Sequence, residues 1–239
     1  MMKNDNGVGL FSEAFDVTNP SPRVAVALVM DTSGSMEGEP IKALNQGFTT
    51  FLNEVRNDEA ASMSAEVMAI TFDEEARVVH DFAPVSGYPL RPAPFGANGR
   101  TATGPALELA ERKLKERCDL YRRQGVAHYA PFLVLMTDGD PVPNRGWKSP
   151  ALRLQQMANN GELNYLCIGV GDDVNWDTMD EIAGSEPGAQ KLQGLKFGAF
   201  FRWLSQSLHA VSCAGVGNED SVRFAPPTSW AELKNYRRK

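Results

Sequence analysis

The chain has little cysteine and little histidine. Three of each occur among 239 residues. Cys118, Cys167 and Cys213 are widely separated and lack the C-x-x-C spacing of zinc or redox sites, so we expect reduced and mostly buried thiols. With so few histidines the sequence shows no histidine-based metal site or catalytic pair, and we find no repeat, P-loop or nucleophile elbow. These absences argue against a nucleophilic or zinc-dependent enzyme.

Positive charge is also scarce. Lys and Arg number 24 against 30 Asp and Glu, which gives a formal net charge of −6 and an isoelectric point near 5.2. No general attraction to nucleic-acid phosphates follows, so nucleic acid is not an expected partner. No apolar run approaches the length of a membrane span, and the polar N-terminus lacks the apolar segment of a secretory signal. We therefore expect a bacterial-type cytoplasmic protein without a membrane partner.

The length of the chain suits one well-buried α/β domain. A chain of 239 residues, of which 42 % are hydrophobic, is too short for two domains of ordinary size. We predict a polar N-terminal lead-in at residues 1–21, a single domain at residues 22–214, and a C-terminal tail at residues 215–239. The tail contains two adjacent prolines and Trp230, and we expect it to pack on the domain.

The most informative stretch is an apolar run, residues 24–30, that stops abruptly at Asp31. The run is continuous rather than alternating, which is typical of a strand covered on both faces in a parallel sheet. Ligands of such sheets bind beyond the carboxyl ends of the strands. Asp31, Ser33 and Ser35 place one carboxylate and two hydroxyls on alternate residues, and oxygen ligands suit a hard cation such as Mg²⁺ or Mn²⁺. The alternative is a local turn that caps the next helix.

A second apolar segment, residues 131–136, also ends at an acid. It is followed by Thr137 and Asp138, so Asp138 would lie at the carboxyl end of a strand, as Asp31 does. A strand order of 3-2-1-4-5 would make the two strands neighbours, with both acids at one edge of the sheet. Asp140 is either an outer acid of the same site or a turn residue before Pro141.

Together these segments resemble the metal-ion-dependent adhesion motif of von Willebrand factor A domains. That motif is Asp-x-Ser-x-Ser, then a distant Thr, then a distant Asp. The chain offers its three parts in that order, at residues 31–35, 99–104 and 137–140. Within the superfamily, three further segments resemble the bacterial tellurite-resistance TerY-like proteins: Gly38–Ile41, Gly194–Phe197 and Phe201–Ser205.

The resemblance implies a three-layer, doubly wound α/β fold of Rossmann-like type. Its central sheet would be mostly parallel, with one antiparallel edge strand and helices on both faces. The residues themselves agree with this fold. Strands are predicted at residues 64–72 and 76–82, and the short acidic connector between them indicates a hairpin. Apolar residues at helical spacing predict a helix over residues 41–55 and an aromatic-rich closing helix from Phe197.

The resemblance also implies a ligand set for Mg²⁺, Mn²⁺ or Ca²⁺. Three hydroxyls would coordinate the cation directly and two acids would act directly or through water. The five residues are Asp31, Ser33, Ser35, Thr101 and Asp138.

Two residues of this sequence are candidates for the threonine of the motif. The Gly-x-Thr pattern favours Thr101, whereas Thr103 is predicted to be the N-cap of the following helix. The family usually has two glycines before the threonine, and Arg100 replaces the second here. Its guanidinium would either repel the cation or recognise an acid of the partner beside the metal.

The resemblance implies a non-enzymatic, cation-dependent protein-binding module, in which a Glu or Asp of a protein partner completes the metal shell. TerY-like relatives suggest an adaptor in a bacterial stress or tellurite-resistance system that includes a protein kinase and a protein phosphatase. The alternatives are a magnesium-dependent phosphohydrolase and a regulatory subunit of an ATPase machine. We expect residues 141–147 to form part of the rim of the site, with Trp147 as an exposed anchor. Residues 83–99 form either another part of this rim or a passive, rigid connector.

Overall fold

The computed structural model describes residues 19–89, 92–137, 146–172, 174–184, 188–214 and 227–232. Its centre is one sheet in the order β3-β2-β1-β4-β5-β6-β7. The strands β1, β2, β4, β5 and β6 run parallel, and the edge strands β3 and β7 pair antiparallel to β2 and β6. The strand bounds are β1 Val24–Asp31, β2 Ala65–Phe72, β3 Ala76–Pro84, β4 Phe132–Thr137, β5 Asn164–Gly169, β6 Gln190–Leu192 and β7 Ala231–Glu232.

Within the described ranges, six α-helices cover the two faces of this sheet. Their bounds are α1 Glu39–Asn57, α2 Glu59–Ser64, α3 Thr103–Arg123, α4 Lys148–Asn159, α5 Trp176–Ala183 and α6 Phe197–Ala214. Helices α1, α2 and α6 pack on one face, and helices α3, α4 and α5 pack on the other. The predicted α/β fold class and the central strand order are therefore confirmed. None of the helices in the described ranges is both long and apolar enough to cross a membrane.

Strand β1 explains why the apolar run of the sequence is continuous. Val26, Leu28 and Met30 belong to the core under α1 and α6, whereas Ala27 and Val29 belong to the core under α3. Every residue of the strand is buried, because successive side chains point to opposite faces and both faces are covered. Burial of each large apolar side chain contributes roughly 1.5–3 kcal/mol. The strand thereby holds its last residue, Asp31, at a well-defined place.

Two expectations about individual residues were wrong. Trp147 is only 8 % exposed and belongs to the core under α3, so it is not an exposed anchor. Burial of a large aromatic ring is strongly favourable, and Lys148 covers the ring with its ammonium group 5.2 Å from the centroid. Thr103 is the first residue of α3, and Ala102 occupies the N-cap position. The Thr103 side chain is buried, and its hydroxyl has no hydrogen-bond partner among the described residues.

Two short elements were not predicted. Helix α2 begins after Asp58, whose carboxylate caps it by accepting a hydrogen bond from the Ala61 amide. Strand β7 adds a second antiparallel edge, and Trp230 before it packs against Phe200 and Trp203 with centroid distances of 4.8 and 5.3 Å. This part of the tail therefore contacts α6.

Candidate metal centre

Asp31 is the last residue of β1 and is completely buried. Its Oδ1 accepts a hydrogen bond of 2.8 Å from the Ser33 amide, and its Oδ2 accepts one of 2.5 Å from the Thr137 hydroxyl. Thr137 is the end of β4, which pairs in parallel with β1. The chain therefore orients the carboxylate from two sides, as a preorganised ligand requires.

The two serine hydroxyls meet next to this carboxylate. Ser33 Oγ and Ser35 Oγ are 3.0 Å apart, and the backbone turns between them in a short 3-10 helix, Gly34–Met36. The predicted alternative, a local turn, is partly realised, since the Ser33 amide donates a hydrogen bond to the Asp31 side chain. Neither serine caps α1, however, since the N-cap of α1 is Gly38 with no side-chain hydrogen bond. Helix capping thus does not explain the two hydroxyls.

The segment that carries Thr101 is tied directly to this loop. The Gly34 amide donates to the Gly99 carbonyl at 3.0 Å, and the Asn98 amide donates to the Thr32 carbonyl at 2.8 Å. Gly99 has φ of +75°, a conformation that glycine adopts at little cost, and a Cβ there would lie 3.0 Å from Glu74 Cγ. Thr101 itself is buried at 8 % exposure. The structure therefore brings Thr101's segment and the Asp31–Ser35 loop together.

The loop before Thr101 is anchored to helix α1 by one side chain. Asn45 donates from Nδ2 to the Phe95 carbonyl at 3.0 Å and accepts from the Phe95 amide at 2.7 Å. The Phe95 ring packs on Phe48, with centroids 5.3 Å apart. This contact holds the predicted rim of the site in place.

Asp138 and Asp140 lie outside the described residues, as does the rim segment 141–145. Within the described ranges no three His, Cys, Asp or Glu side chains are grouped as a metal ion would need. The described part of the candidate centre thus consists of one carboxylate and several hydroxyls. Thr137 bonds Asp31 but was not among the predicted ligands, although its position at the end of the apolar segment before Asp138 could have indicated it.

A family model described as von Willebrand factor type A domain matches residues 25–193. The match extends from β1 to β6 and covers more than half of the chain. The chain belongs to the von Willebrand factor type A domain family.

Curated proteins of other organisms match most of this chain. An uncharacterized protein of Synechocystis sp. is 27 % identical over 167 residues, which are 69 % of this chain and 36 % of that protein. Inter-alpha-trypsin inhibitor heavy chain H4 of Sus scrofa is 26 % identical over 181 residues, which are 75 % of this chain and 19 % of that protein. The chain therefore spans well under half the length of these relatives.

Several solved structures share the A-domain fold. The von Willebrand factor type A protein from Catenulispora acidiphila has a TM-score of 0.57 at 18 % identity, covering 79 % of this chain and 43 % of that one. The pilus adhesin SpaC from Lactobacillus rhamnosus GG has a TM-score of 0.61 at 14 % identity, covering 79 % and 30 %. The manganese-loaded Plasmodium vivax TRAP protein has a TM-score of 0.52 at 20 % identity, covering 74 % and 71 %. At these identities the likeness shows a shared fold.

A groove of about 490 Å³ lies beside the Asp31–Ser35 loop of the A domain. It runs between the edge strand β3 and the loop before Thr101, and its lining includes Thr32, Arg77, His80, Phe95 and Asn98. The His80 ring stacks on Tyr88 at 4.3 Å, and burial lowers its pKa, so the neutral imidazole is favoured. The groove is therefore mixed in character, with apolar walls and few charges.

The acidic turn next to this groove is internally paired. Partial burial opposes ionisation of Asp73, but the Glu75 amide and the Arg77 guanidinium hold its pKa below the usual value. The Asp73 carbonyl also accepts from the Ala102 amide at 2.8 Å. This turn supports the threonine segment and is explained by these contacts. Arg100, by contrast, is exposed and makes no hydrogen bond or ion pair within the described ranges.

Proposed function

We propose that this A domain is a divalent-cation-dependent protein-binding module. Its cation, which we take to be Mg²⁺ with Mn²⁺ and Ca²⁺ as the other candidates, would be held by five residues: Asp31, Ser33, Ser35, Thr101 and Asp138. The observation that carries the proposal is the pair of hydroxyls on Ser33 and Ser35, 3.0 Å apart beside an oriented, buried carboxylate.

The spacing of the two hydroxyls fits a hard cation. Neighbouring ligands of an octahedral Mg²⁺, at bonds of about 2.1 Å and right angles, lie about 3.0 Å apart. Ser33 Oγ and Ser35 Oγ have this separation already. The donor set also fits, because Mg²⁺ and Mn²⁺ prefer carboxylate and hydroxyl oxygens to nitrogen or sulfur.

Such a cation would supply an open coordination position to a partner. Neutral hydroxyl ligands compensate little of the charge of the ion, so an incoming carboxylate is attracted strongly. Arg100 lies one residue before Thr101, is exposed, and offers a second positive group to the same acidic segment. The adjacent groove has room for the neighbouring side chains of that segment. The partner that we propose is therefore a protein with an accessible Glu or Asp.

The names of two proteins with a similar fold support the proposed cation-dependent binding. TRAP was solved loaded with manganese, and SpaC is named a pilus adhesin. We propose that this chain binds a cation in the same manner and acts by binding, without catalysis and without nucleic acid. From the motif resemblance we propose further that it is a cytoplasmic adaptor of the TerY-like type, in a bacterial stress or tellurite-resistance system with a protein kinase or phosphatase.

The direct test is calorimetric titration of Mg²⁺ and Mn²⁺ into the wild-type chain and into Ser33→Ala/Ser35→Ala. The serines supply two of the proposed ligands, so we expect one binding site in the wild type and at least tenfold weaker binding in the variant. Ser62→Ala is the matched control, because Ser62 is a half-buried serine on α2, outside the proposed ligand set, whose hydroxyl donates to the Glu59 carbonyl. Equal affinities in all three proteins would refute the assignment.

The binding role has its own test. Wild type and Asp31→Ala are used as baits for partners, each with Mg²⁺ and with chelator. The proposal expects a partner that only metal-loaded wild type retains, and that loses binding when its own Glu or Asp is replaced. Hydrolysis of a generic phosphoester that depends on Asp31 would instead show that the site is catalytic.

A further inference from the structure

Three reactive side chains form a row on the surface where α6 passes the junction of α1 and α2. His209 Nδ1 lies 3.0 Å from Asp58 Oδ1 and 2.9 Å from Asp58 Oδ2. On the other side of the ring, His209 Nε2 lies 3.7 Å from Cys213 Sγ. The cysteine and the histidine are four residues apart on α6, which places them on the same helix face.

The order of the three groups decides what they can do. The carboxylate and the thiol lie on opposite nitrogens of the imidazole, so the three side chains cannot converge on one metal ion. In agreement, no metal-binding group of His, Cys, Asp and Glu occurs in the described ranges. An acid that orients a histidine, which in turn contacts a thiol, is instead the arrangement that stabilises a thiolate.

The carboxylate at the end of the row is fixed in place. Asp58 is the N-cap of α2, and its Oδ1 accepts from the Ala61 amide at 2.8 Å. Partial burial opposes its ionisation, but the Ala61 amide and the His209 ring together keep its pKa below the usual value. The carboxylate therefore holds the Nδ1 side of the His209 ring and leaves Nε2 facing the Cys213 thiol.

The other two cysteines provide a contrast within the same chain. Cys118 and Cys167 are buried at 7 % and 2 % exposure. Burial raises the pKa of Cys118 to about 11 and the pKa of Cys167 to about 12. Only Cys213 is exposed among the three. One thiol of the chain is thus both accessible and next to a histidine.

We propose that Cys213 is a thiol–disulfide exchange site, activated by His209 and Asp58, that takes up a small disulfide such as oxidised glutathione. The Cys213 thiolate attacks one sulfur of the disulfide, a new S–S bond forms at Cys213, and the old S–S bond breaks. One half of the small molecule stays on Cys213 as a mixed disulfide, and the other half leaves as a thiolate that takes up a proton from water; Cys213 is thereby oxidised and the disulfide reduced.

The test follows the reaction of the full chain with oxidised glutathione and with 2,2′-dipyridyl disulfide at pH 6. An ordinary thiol, with pKa near 8.5, is less than about 1 % thiolate at that pH. We expect Cys213 to react at least about fivefold faster in the wild type than in His209→Gln, and mass spectrometry should find the adduct on Cys213 alone. Asp58→Asn, which retains an N-cap side chain, should also slow the reaction.

Controls separate activation from simple exposure. Cys213→Ser should abolish the fast reaction, and circular dichroism verifies that each variant is folded. If a variant does not fold, the wild-type rate is compared with that of the same chain unfolded in urea, where all three thiols are ordinary. A Cys213 rate in the folded wild type equal to the unfolded rate or to that of His209→Gln, or first modification at Cys118 or Cys167, would overturn the proposal.

Discussion

Two buried carboxylates on neighbouring strands are held in different ways. Glu66, near the start of β2, lies 2.6 Å from Arg117 Nη2 and 3.6 Å from Arg23 Nε, and it also accepts a hydrogen bond from the Tyr121 hydroxyl. Asp31, at the end of β1, accepts hydrogen bonds from the Ser33 amide and the Thr137 hydroxyl. Both side chains are buried, at 1 % and 0 % exposure.

The difference separates a structural acid from an acid arranged for a ligand. The charge of Glu66 is matched by two buried guanidinium groups of the chain itself, which tie β2 to α3 and to the segment before β1. The donors described at Asp31 are neutral, and further hydroxyls stand beside it at the carboxyl edge of the sheet. In open α/β sheets this edge is where ligands bind. Burial alone would not distinguish the two residues.

The largest effect is expected at the structural acid. Glu66→Ala removes the carboxylate that two buried guanidinium groups share, and it should lower the free energy of unfolding by about 3–5 kcal/mol, with or without Mg²⁺. Urea unfolding followed by circular dichroism measures this change. Glu162→Ala is the control, because Glu162 is exposed and should change stability by less than about 0.5 kcal/mol. A loss of stability that occurs only in buffer with Mg²⁺ would contradict the structural role of Glu66 and with it the contrast to Asp31.

The second effect concerns the ligand acid. If the cation binds only the folded chain, Mg²⁺ at 100 times its dissociation constant should raise the free energy of unfolding of the wild type by about 2.7 kcal/mol. Asp31→Ala should remove this gain, because it deletes a central ligand. Urea unfolding with Mg²⁺ and with chelator tests both chains. Equal stabilisation of wild type and variant would place the cation elsewhere.

The third effect tests whether the threonine segment shapes the site. Gly99→Ala forces a side chain into a left-handed conformation and close to Glu74, which should cost about 1–2 kcal/mol and weaken Mg²⁺ binding. Gly96→Ala is the matched control, since nothing lies within 4 Å of the added Cβ. The two titrations are compared by calorimetry. An unchanged Mg²⁺ affinity in Gly99→Ala would show that the segment carrying Thr101 does not shape the cation site.

The smallest effect involves an acid with more exposed partners. Partial burial opposes ionisation of Glu111, but Arg153 and Lys115 lower its pKa in the folded chain. The contribution of Glu111 to the free energy of unfolding is therefore present above the pKa that it has in the unfolded chain. It is lost as the pH falls through the lower pKa that it has in the folded chain. Glu111→Gln should cost about 1 kcal/mol at pH 7 and progressively less below about pH 4. Urea unfolding of both chains at several pH values measures this loss of stability. A loss that does not change with pH would show that it is not caused by the ion pairs of Glu111.

Much of the fold was predictable because its signals are local. The helix predicted over residues 41–55 is found as α1, Glu39–Asn57, since the helical spacing of apolar residues is read from nearby positions. The continuous apolar run of β1 and the acidic turn before β3 likewise indicated a central strand and a hairpin. Patterns of period 2 and 3.6 require no knowledge of distant residues.

The misjudged residues depend on contacts that no local pattern contains. Trp147 is buried because its ring packs in the core under α3, and that core is formed by residues that are distant in the sequence. Thr103 enters α3 although its sequence suits an N-cap, and the backbone of Ala102 is instead held by the Asp73 carbonyl. The N-cap is therefore shifted by one residue.

The candidate site divides in the same manner. The ligand types and their order along the chain follow from the motif, because a hard cation selects oxygen donors wherever they stand in the sequence. The geometry that makes them a site arises between segments: Thr137 reaches Asp31 across β4 and β1, Gly34 bonds Gly99, and Asn45 holds Phe95. Local residues can specify a strand and a turn, but only packing brings atoms from distant parts of the chain within bonding distance, since each such closure is stabilised by the whole core.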